Sequence, residues 1–380
     1  MNERMLREQQ ATKLPLPFGE RVGVRGVADG PECGGKVLDR ADHPSPPAPL
    51  PKGERGEVKG ASRCRSLEHN LSRRGFLRGV AGAIGCLLVP RWISGAGAEP
   101  TALTLGFSLY GMKNLTTDAA LRVVAEIGYD SVELCLLDGY DAAPAKLSAE
   151  RRRDVRKLLG DLGLKLTALM ENVPLGDATM QPAVRERLRV AAELGHELST
   201  DSPPVVETVM GGGKWDEVRD RYREHLGGWA RVAEATKTVI AVKPHRFGAV
   251  NLPEQALWLI EQVKSPWIKL NFDPSHFELR DPPQVDALKQ LLPHSTIVAV
   301  KDVVLKDGKA AFALPGEGGE FDYAKFLKQL VDAGYRGDVN VEVSGMISSQ
   351  PGYDPVAAAR KSYTQLAGAF SRAKIVRQRR

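Results

Sequence analysis

The sequence predicts a closed (β/α)8 barrel, and three observations carry that expectation. From Thr101 onward, eight short apolar runs alternate with helix-patterned stretches, the arrangement of a parallel α/β architecture. The eight units fill about 270 residues, the usual size of one such closed domain. The last four runs end in charged residues, Lys243, Asp273, Lys301 and Glu342, at the strand ends where α/β proteins bind ligands. A doubly wound sheet is the alternative. It has fewer units and a glycine-rich nucleotide turn after its first strand, and Gly106-Phe107-Ser108 is not such a turn.

Taken in order, the chain opens on a leader. Residues 1–66 are rich in Pro, Gly and mixed charge, and Pro15–Arg21 (P-L-P-F-G-E-R) recurs as Pro49–Arg55 (P-L-P-K-G-E-R). Such a segment has too little apolar surface to fold. It is read as disordered or as lying upstream of the true start. Residues 67–98 read as a twin-arginine signal peptide. Ser72-Arg73-Arg74-Gly75-Phe76-Leu77-Arg78 is followed by the weakly apolar Val80–Val89 and the small-residue cleavage site Ala96-Gly97-Ala98. The apolar stretch is too short for a permanent span, and Ala83–Cys86 makes a poor lipidation site. The expected partner of this segment is the twin-arginine export machinery and the expected location is periplasmic or exported. The mature form, residues 99–380, is expected to carry no membrane anchor.

Charge is distributed just as unevenly. Residues 1–98 hold 16 Lys/Arg against 10 Asp/Glu, whereas residues 99–380 hold 37 of each. The excess of basic residues therefore belongs to the leader, and no nucleic-acid partner is expected for the body. Cys33, Cys64 and Cys86 also precede the body, leaving Cys135 alone within it. A disulfide-stapled domain and a cysteine zinc site are both excluded.

The predicted strands are Leu103–Leu109, Ser131–Leu137, Leu164–Met170, Val205–Met210, Val239–His245, Ile268–His276, Ile297–Asp302 and Val339–Val343. Amphipathic stretches such as Asp118–Tyr129 and Tyr323–Tyr335 lie between them, each ending in Gly and an aromatic residue, a helix stop. Side chains alternate along a strand. Lys243 with His245, Asn271 with Asp273, Ala299 with Lys301, and Asn340 with Glu342 therefore share the inward face. Val242, Phe272, Val300, Val341 and Val343 take the opposite parity and face the helices. The inward polar set converges on the barrel mouth, as a ligand site or as structural ion pairs.

With these residues in view, the stretch from Leu103 to Phe370 resembles the xylose isomerase-like TIM-barrel superfamily, of the sugar phosphate isomerase/epimerase type that includes ketose 3-epimerases and inosose dehydratases. The resemblance rests on G-Y-D-S-V-E-L (Gly128–Leu134), N-F-D-P-S-H (Asn271–His276), V-K-D (Val300–Asp302), L-P-G-E-G-G-E-F-D-Y (Leu314–Tyr323) and G-Y-R-G-D-V-N-V-E-V (Gly334–Val343). It implies a divalent metal held by Glu, Asp, His and Glu after strands five to eight, with the two Glu moving protons through an enediolate. Asp273 and Glu342 match two of those positions, and His276 keeps the D-x-x-H spacing. Lys243 replaces the strand-five Glu and Ala299 the strand-seven His.

Charge suggests what replaced the metal. A lysine between Asp273 and Glu342 would relieve their repulsion, so Lys243 is expected to bridge them. An ammonium so held is a poor base, which leaves proton abstraction to Glu342, His276 or His245. Lys301 joins the catalytic candidates. The competing expectation is an incomplete metal set of Asp273, Glu342 and His276, completed by His245 and suited to Mn, Zn or Mg. The loop Pro315–Glu320 crowds Glu317, Glu320 and Asp322 together, which disfavours phosphate and reads instead as a turn into a helix capped by Asp322. The expected partner is thus a small, non-phosphorylated carbohydrate. Tyr110, Trp215 and Phe247 follow strands one, four and five and serve as stacking residues for a sugar ring or as loop packing.

Three functions follow from these residues. One is a carbohydrate isomerase, epimerase or related lyase working next to a carbonyl. Another is a carbohydrate-binding barrel without turnover. An endonuclease on the same fold is disfavoured, because the body lacks both a multi-metal cluster and a basic groove.

Overall fold

The computed structural model describes residues 103–378 apart from residues 174, 281, 282, 285 and 319. The expected leader (1–66) and signal peptide (67–98), with Cys33, Cys64 and Cys86, lie outside the described residues, as does Gly319 of the glycine-rich loop. Ten strands follow in chain order among the described residues: β1 (Thr104–Ser108), β2 (Ser131–Cys135), β3 (Lys165–Met170), β4 (Val205–Val209), β5 (Ile240–Lys243), β6 (Ile268–Phe272), β7 (Ser295–Val300), β8 (Asp302–Lys306), β9 (Lys309–Ala313) and β10 (Asp338–Val341). Eight of them close a parallel barrel in the order β1-β10-β7-β6-β5-β4-β3-β2. The predicted class and all eight predicted strands are present.

The helices between the strands follow local sequence rules. The helix Thr117–Ile127 is capped by the Thr116 hydroxyl, which accepts from the Ala119 N–H at 3.3 Å, and it ends at Gly128 with φ 106°. That left-handed backbone is what glycine reaches without a Cβ penalty. Asp322 caps the helix Tyr323–Asp332 by accepting from the Lys325 N–H at 3.0 Å, as its position suggested. On the helix side of the barrel wall, Val242, Phe272, Val300, Val341 and Val343 are buried in the main apolar core. Phe272 stacks there on Phe277 and Phe326.

One element was not expected. Between β7 and the helix Tyr323–Asp332, residues 302–313 form an antiparallel hairpin, β8–β9, separate from the barrel. Its two turn residues, Asp307 (φ 51°) and Gly308 (φ 71°), both take positive φ. Asp-Gly is the favoured pair for a two-residue hairpin turn, because its twist matches that of the flanking strands. The hairpin is tied at its base by Asp302, whose Oδ2 accepts from the Gly316 and Gly318 N–H groups at 2.9 Å.

Barrel interiors are ordinarily filled by branched apolar residues, but this one carries polar groups at both ends. Around the starts of the strands, the buried Asp338 accepts hydrogen bonds from Thr104 Oγ1 at 2.6 Å, Thr167 Oγ1 at 2.9 Å and the Ser131 hydroxyl. Gly106 leaves room for this cluster: a Cβ there would lie 2.6 Å from Asp338 Oδ2. A thin apolar layer of Ala168, Ala241 and Ile297, with Val205 against it, also lines the interior.

Candidate functional site

Strand parity decides which side chains enter the barrel mouth. Lys243 ends β5, Asp273 follows β6, Lys301 follows β7 and Glu342 follows β10, all with inward parity. Each is buried, and Glu342 is the most exposed of the four at 8 %. Lys243 lies 3.0 Å from Glu207 Oε1 and bonds to Glu342 Oε2. Lys301 lies 3.0 Å from Glu342 Oε1 and bonds to Asp273 Oδ2. Glu342 therefore takes one ammonium on each carboxylate oxygen.

This corrects the expected pairing. Lys243 bridges Glu342 and Glu207, and Asp273 is paired with Lys301. The physical reason is register. Lys243 sits opposite Val209 in the β4–β5 ladder, with Glu207 two residues earlier on the same inward face, whereas Lys301 projects from between β6 and β10. Both ammonium groups are thus committed to carboxylates, and the carboxylates Glu207 and Asp273 hold Lys243 and Lys301 from opposite sides of Glu342.

The ionisation of the network follows from its contacts. Burial works against the Lys243 charge, but Glu207 and Glu342 outweigh it and hold the ammonium well above the usual lysine range. Burial likewise opposes charge on Glu342, and the two ammonium groups overcome it and lower its pKa below the carboxylate range. Deeper in the barrel, Glu133 accepts from the Ser108 hydroxyl and is pushed well up, by burial first and then by Glu207. Glu207 is raised chiefly by burial, takes an Asn271 Nδ2 hydrogen bond at 3.0 Å, and keeps its Oε2 without a hydrogen-bond partner.

Two imidazoles sit against this network. The rings of His245 and His276 lie 4.2 Å apart, and Phe312 of β9 packs edge-on to His276 at 5.2 Å. The Lys301 ammonium stands 4.9 Å from the Phe312 ring centre, within cation–π range. The Phe247 N–H donates to His245 Nδ1 and the Arg246 N–H to His276 Nδ1, both at 3.3 Å. Each neutral ring therefore carries its proton on Nε2. Burial, followed by nearby positive charge, lowers His245 to about 3. The same burial, with His245 and Lys301 beside it, takes His276 well below its ordinary range. Both rings are hydrogen-bond donors through Nε2 at neutral pH and weak bases, which revises their expected part in proton abstraction. His276 Nε2 has no hydrogen-bond partner and lies 3.5 Å from Asp273 Oδ2.

The aromatic candidates divide. Phe247 is 56 % exposed and packs 5.7 Å from His245 and 5.9 Å from Phe312, at the rim of the site. Tyr110 stacks on Tyr140 at 6.0 Å near the end of β1. Trp215 opens the helix Trp215–Thr236 and packs at 90° on Trp258 of the helix Pro253–Val263, an interhelical contact. Three residues of the site went unread in the sequence: Glu133, Glu207 and Phe312. Each had a signal. S-V-E-L-C and V-V-E-T-V place a carboxylate inside an apolar run, as the later strands do, and Asp307-Gly308 announces the hairpin that carries Phe312.

The donor set does not fit a divalent ion. Two ammonium nitrogens stand between the carboxylates, Ala299 occupies the position of the expected imidazole, and among the described residues no three His, Cys, Asp or Glu side chains are grouped to hold a metal. His245 and His276 pack on each other tilted by 47° and meet Phe312 edge-on, and among the described residues they form no metal-holding group with Asp273 and Glu342 such as the competing expectation required.

Fold and sequence together define the class. Residues 121–366 match the family described as Xylose isomerase-like TIM barrel, and the chain belongs to it. It is similar to a 3-dehydroshikimate dehydratase of Pseudomonas aeruginosa, 27 % identical over 251 residues, covering 60 % of this chain and 36 % of that protein. The chain thus spans well under half the length of that relative. A solved xylose isomerase-like TIM barrel protein from Mycobacterium smegmatis in complex with magnesium aligns with a TM-score of 0.57 at 16 % identity, over 72 % of this chain and 99 % of that one. A 3-keto-D-glucoside 4-epimerase from E. coli aligns with a TM-score of 0.52 at 17 % identity, over 70 % and 99 % of the two chains. At these identities the structural likeness speaks to the fold.

Proposed function

We propose that this protein is a carbohydrate isomerase, epimerase or dehydratase that moves a proton next to a ketone or aldehyde on a non-phosphorylated, polyhydroxylated substrate. The observation that carries the reading is Glu342, a carboxylate at the barrel mouth that bonds to two ammonium groups, one of which also holds Asp273 beside His276 Nε2. A base beside several donors is what enolisation needs. The C–H bond next to the carbonyl breaks, its proton goes to Glu342, the bonding pair forms a C=C bond, and the carbonyl π pair moves onto the oxygen. Delivery of the proton to the former carbonyl carbon, with the neighbouring hydroxyl's proton passing to the former carbonyl oxygen, gives an isomer, and protonation of the original carbon on its other face gives an epimer. Expulsion of a β-hydroxyl as water gives a dehydrated product.

The ammonium groups also answer an apparent objection, that a doubly bridged carboxylate is a weak base. As negative charge grows on the substrate oxygen, Lys243 and Lys301 shift toward it. Glu342 loses its partners and gains basicity as the proton arrives. The relatives support a ketone-bearing substrate, since the dehydratase and the epimerase are both named for one.

A second reading, a carbohydrate-binding barrel without turnover, is favoured by the burial of all four charged groups, with Phe312 packed against the Lys301 ammonium. One measurement separates the two. The protein is incubated in D2O with a panel of aldoses, ketoses and 3-keto-glycosides, and proton NMR follows exchange at the carbon next to the carbonyl. Exchange is expected with the native chain, and Glu342→Gln should slow it by about 10²–10⁴. Binding without exchange selects the second reading, and neither binding nor exchange removes both.

A further inference from the structure

The resemblance implies a divalent metal among the residues that end the fifth to eighth barrel strands, yet in this barrel two ammonium groups stand among those residues. Lys243 comes from β5 and Lys301 from the end of β7, and Glu342 lies between them. Three carboxylates, Glu207, Glu342 and Asp273, are in direct contact with the two ammonium groups. Three carboxylates and two ammonium groups carry a net charge of −1. Three carboxylates around one divalent cation carry the same. The carboxylate lost where Lys243 stands is made up by Glu207, one strand earlier and on the same inward face.

We propose that Lys243 and Lys301 together form a tethered dication that takes the place of the family's divalent metal, with Glu207 as the compensating third carboxylate. The proposal rests on the isomerase-type reading for its use, but its structural content stands apart from turnover. Two point charges on separate strands differ from one ion in a way that matters for the ligand. Each ammonium has three donor protons, and its two carboxylate contacts leave one apiece, so the pair suits a substrate presenting two adjacent oxygens, a carbonyl and its neighbouring hydroxyl. Desolvation normally argues against burying two lysines. Here each is met by two carboxylate oxygens, and Lys301 adds the Phe312 ring at 4.9 Å, so neither charge is left uncompensated.

The arrangement also gives meaning to two unsatisfied atoms. Glu207 Oε2 and His276 Nε2 are buried without a hydrogen-bond partner, one an acceptor and the other a donor. Buried groups left in this state cost stability unless something else meets them. A hydroxylated ligand supplies both kinds of partner, whereas a bare cation would satisfy the acceptor and repel the donor.

Elemental analysis and Mn²⁺ titration of the purified full-length chain test the proposal. The native protein should hold well below one equivalent of Mn, Zn, Co or Mg, and its thermal midpoint should move by less than about 1 °C with EDTA or with excess MnCl2. Two variants reverse the substitution. Lys243→Glu with Ala299→His restores the family's four donors, and Lys243→Met with Lys301→Met removes the dication and leaves three facing carboxylates. Either should gain Mn²⁺ binding and a midpoint raised by about 5–10 °C at saturating MnCl2. One tightly held equivalent in the native chain, lost to EDTA with a fall in midpoint, overturns the proposal. So does a folded variant that stays indifferent to Mn²⁺. If neither variant folds even with MnCl2, the native-chain measurement decides. A metal-free native chain that exchanges no substrate proton removes the isomerase reading and leaves the dication standing; an active, metal-loaded chain does the reverse.

Discussion

The two ends of the barrel bury carboxylates by different means. At the starts of the strands, Asp338 is met by three neutral hydroxyls, those of Thr104, Ser131 and Thr167. At the mouth, Glu342 and Asp273 are met by the ammonium groups of Lys243 and Lys301. Hydroxyl donors satisfy a carboxylate cheaply and hold it still. Both Asp338 oxygens accept from them, and Thr167 Oγ1 also reaches the Val132 carbonyl at 3.3 Å. Ammonium partners are worth more when made and more when broken, and the network around them leaves Glu207 Oε2 and His276 Nε2 without partners. The lower cluster closes the fold. The upper one is strong, incomplete and aimed at the ligand end, which is the combination a site requires.

That contrast can be broken by removing one donor from each end and comparing chemical denaturation. Lys301→Ala strips Asp273 of its ammonium and Glu342 of one of two, and should cost about 3–5 kcal/mol. Thr104→Val keeps the shape, removes one of three donors to Asp338 and should cost about 1–2 kcal/mol. Equal costs would mean that the two ends are held by the same kind of interaction. The Thr104→Val protein should also keep native substrate exchange, because Asp338 lies at the opposite end of the strands from Glu342.

A finer distinction lies in the response to acid. His245 in the native state titrates at about 3, against about 6.5 in an unfolded chain. Between those values the unfolded state binds the extra proton, so stability rises with pH and is lost as pH falls from about 6.5 toward 3. His276 acts in the same direction. Glu133 and Glu207 have raised native values and contribute the opposite slope, so the imidazole term is read by difference. Between pH 6 and 4, His245→Gln should show a slope shallower than the native protein by about 1.4 kcal/mol per pH unit. An unchanged slope would place a charged imidazole in the folded site and return His245 to the list of bases.

Strand positions and the inward face were legible because both depend on local alternation. Val242, Phe272 and Val300 could only be buried, so Lys243, Asp273 and Lys301 had to point into the barrel. Which lysine meets which carboxylate was not legible, because it depends on strand tilt and register across several ladders. Reading Lys243 as the bridge from Asp273 to Glu342 assumed a level ring of strand ends, whereas Asp273 and Glu342 are bridged by Lys301. Glu133 and Glu207 were hidden differently. Their strands end in apolar residues, so attention to strand ends passed over carboxylates set one step inside. The packing of the imidazoles, His276 buried and His245 half-buried, was also out of reach, since Phe312, about 36 residues beyond His276, meets both rings edge-on.

The hairpin β8–β9 couples the site to the surface. A two-stranded ribbon buries too little to stay folded alone in water, so its order depends on what Phe312 and Asp302 hold at its base. Leu305, near its tip, is 59 % exposed, while Phe312, near its return, is 4 % exposed. One end is anchored in the imidazole pair and the other stands in solvent. A ligand that lifted Phe312 from His276 would withdraw the ribbon's anchor, and its cross-strand amides would open to exchange. Occupancy of a buried site would then be readable from outside the barrel, as the protection of a handful of backbone protons that never touch the ligand.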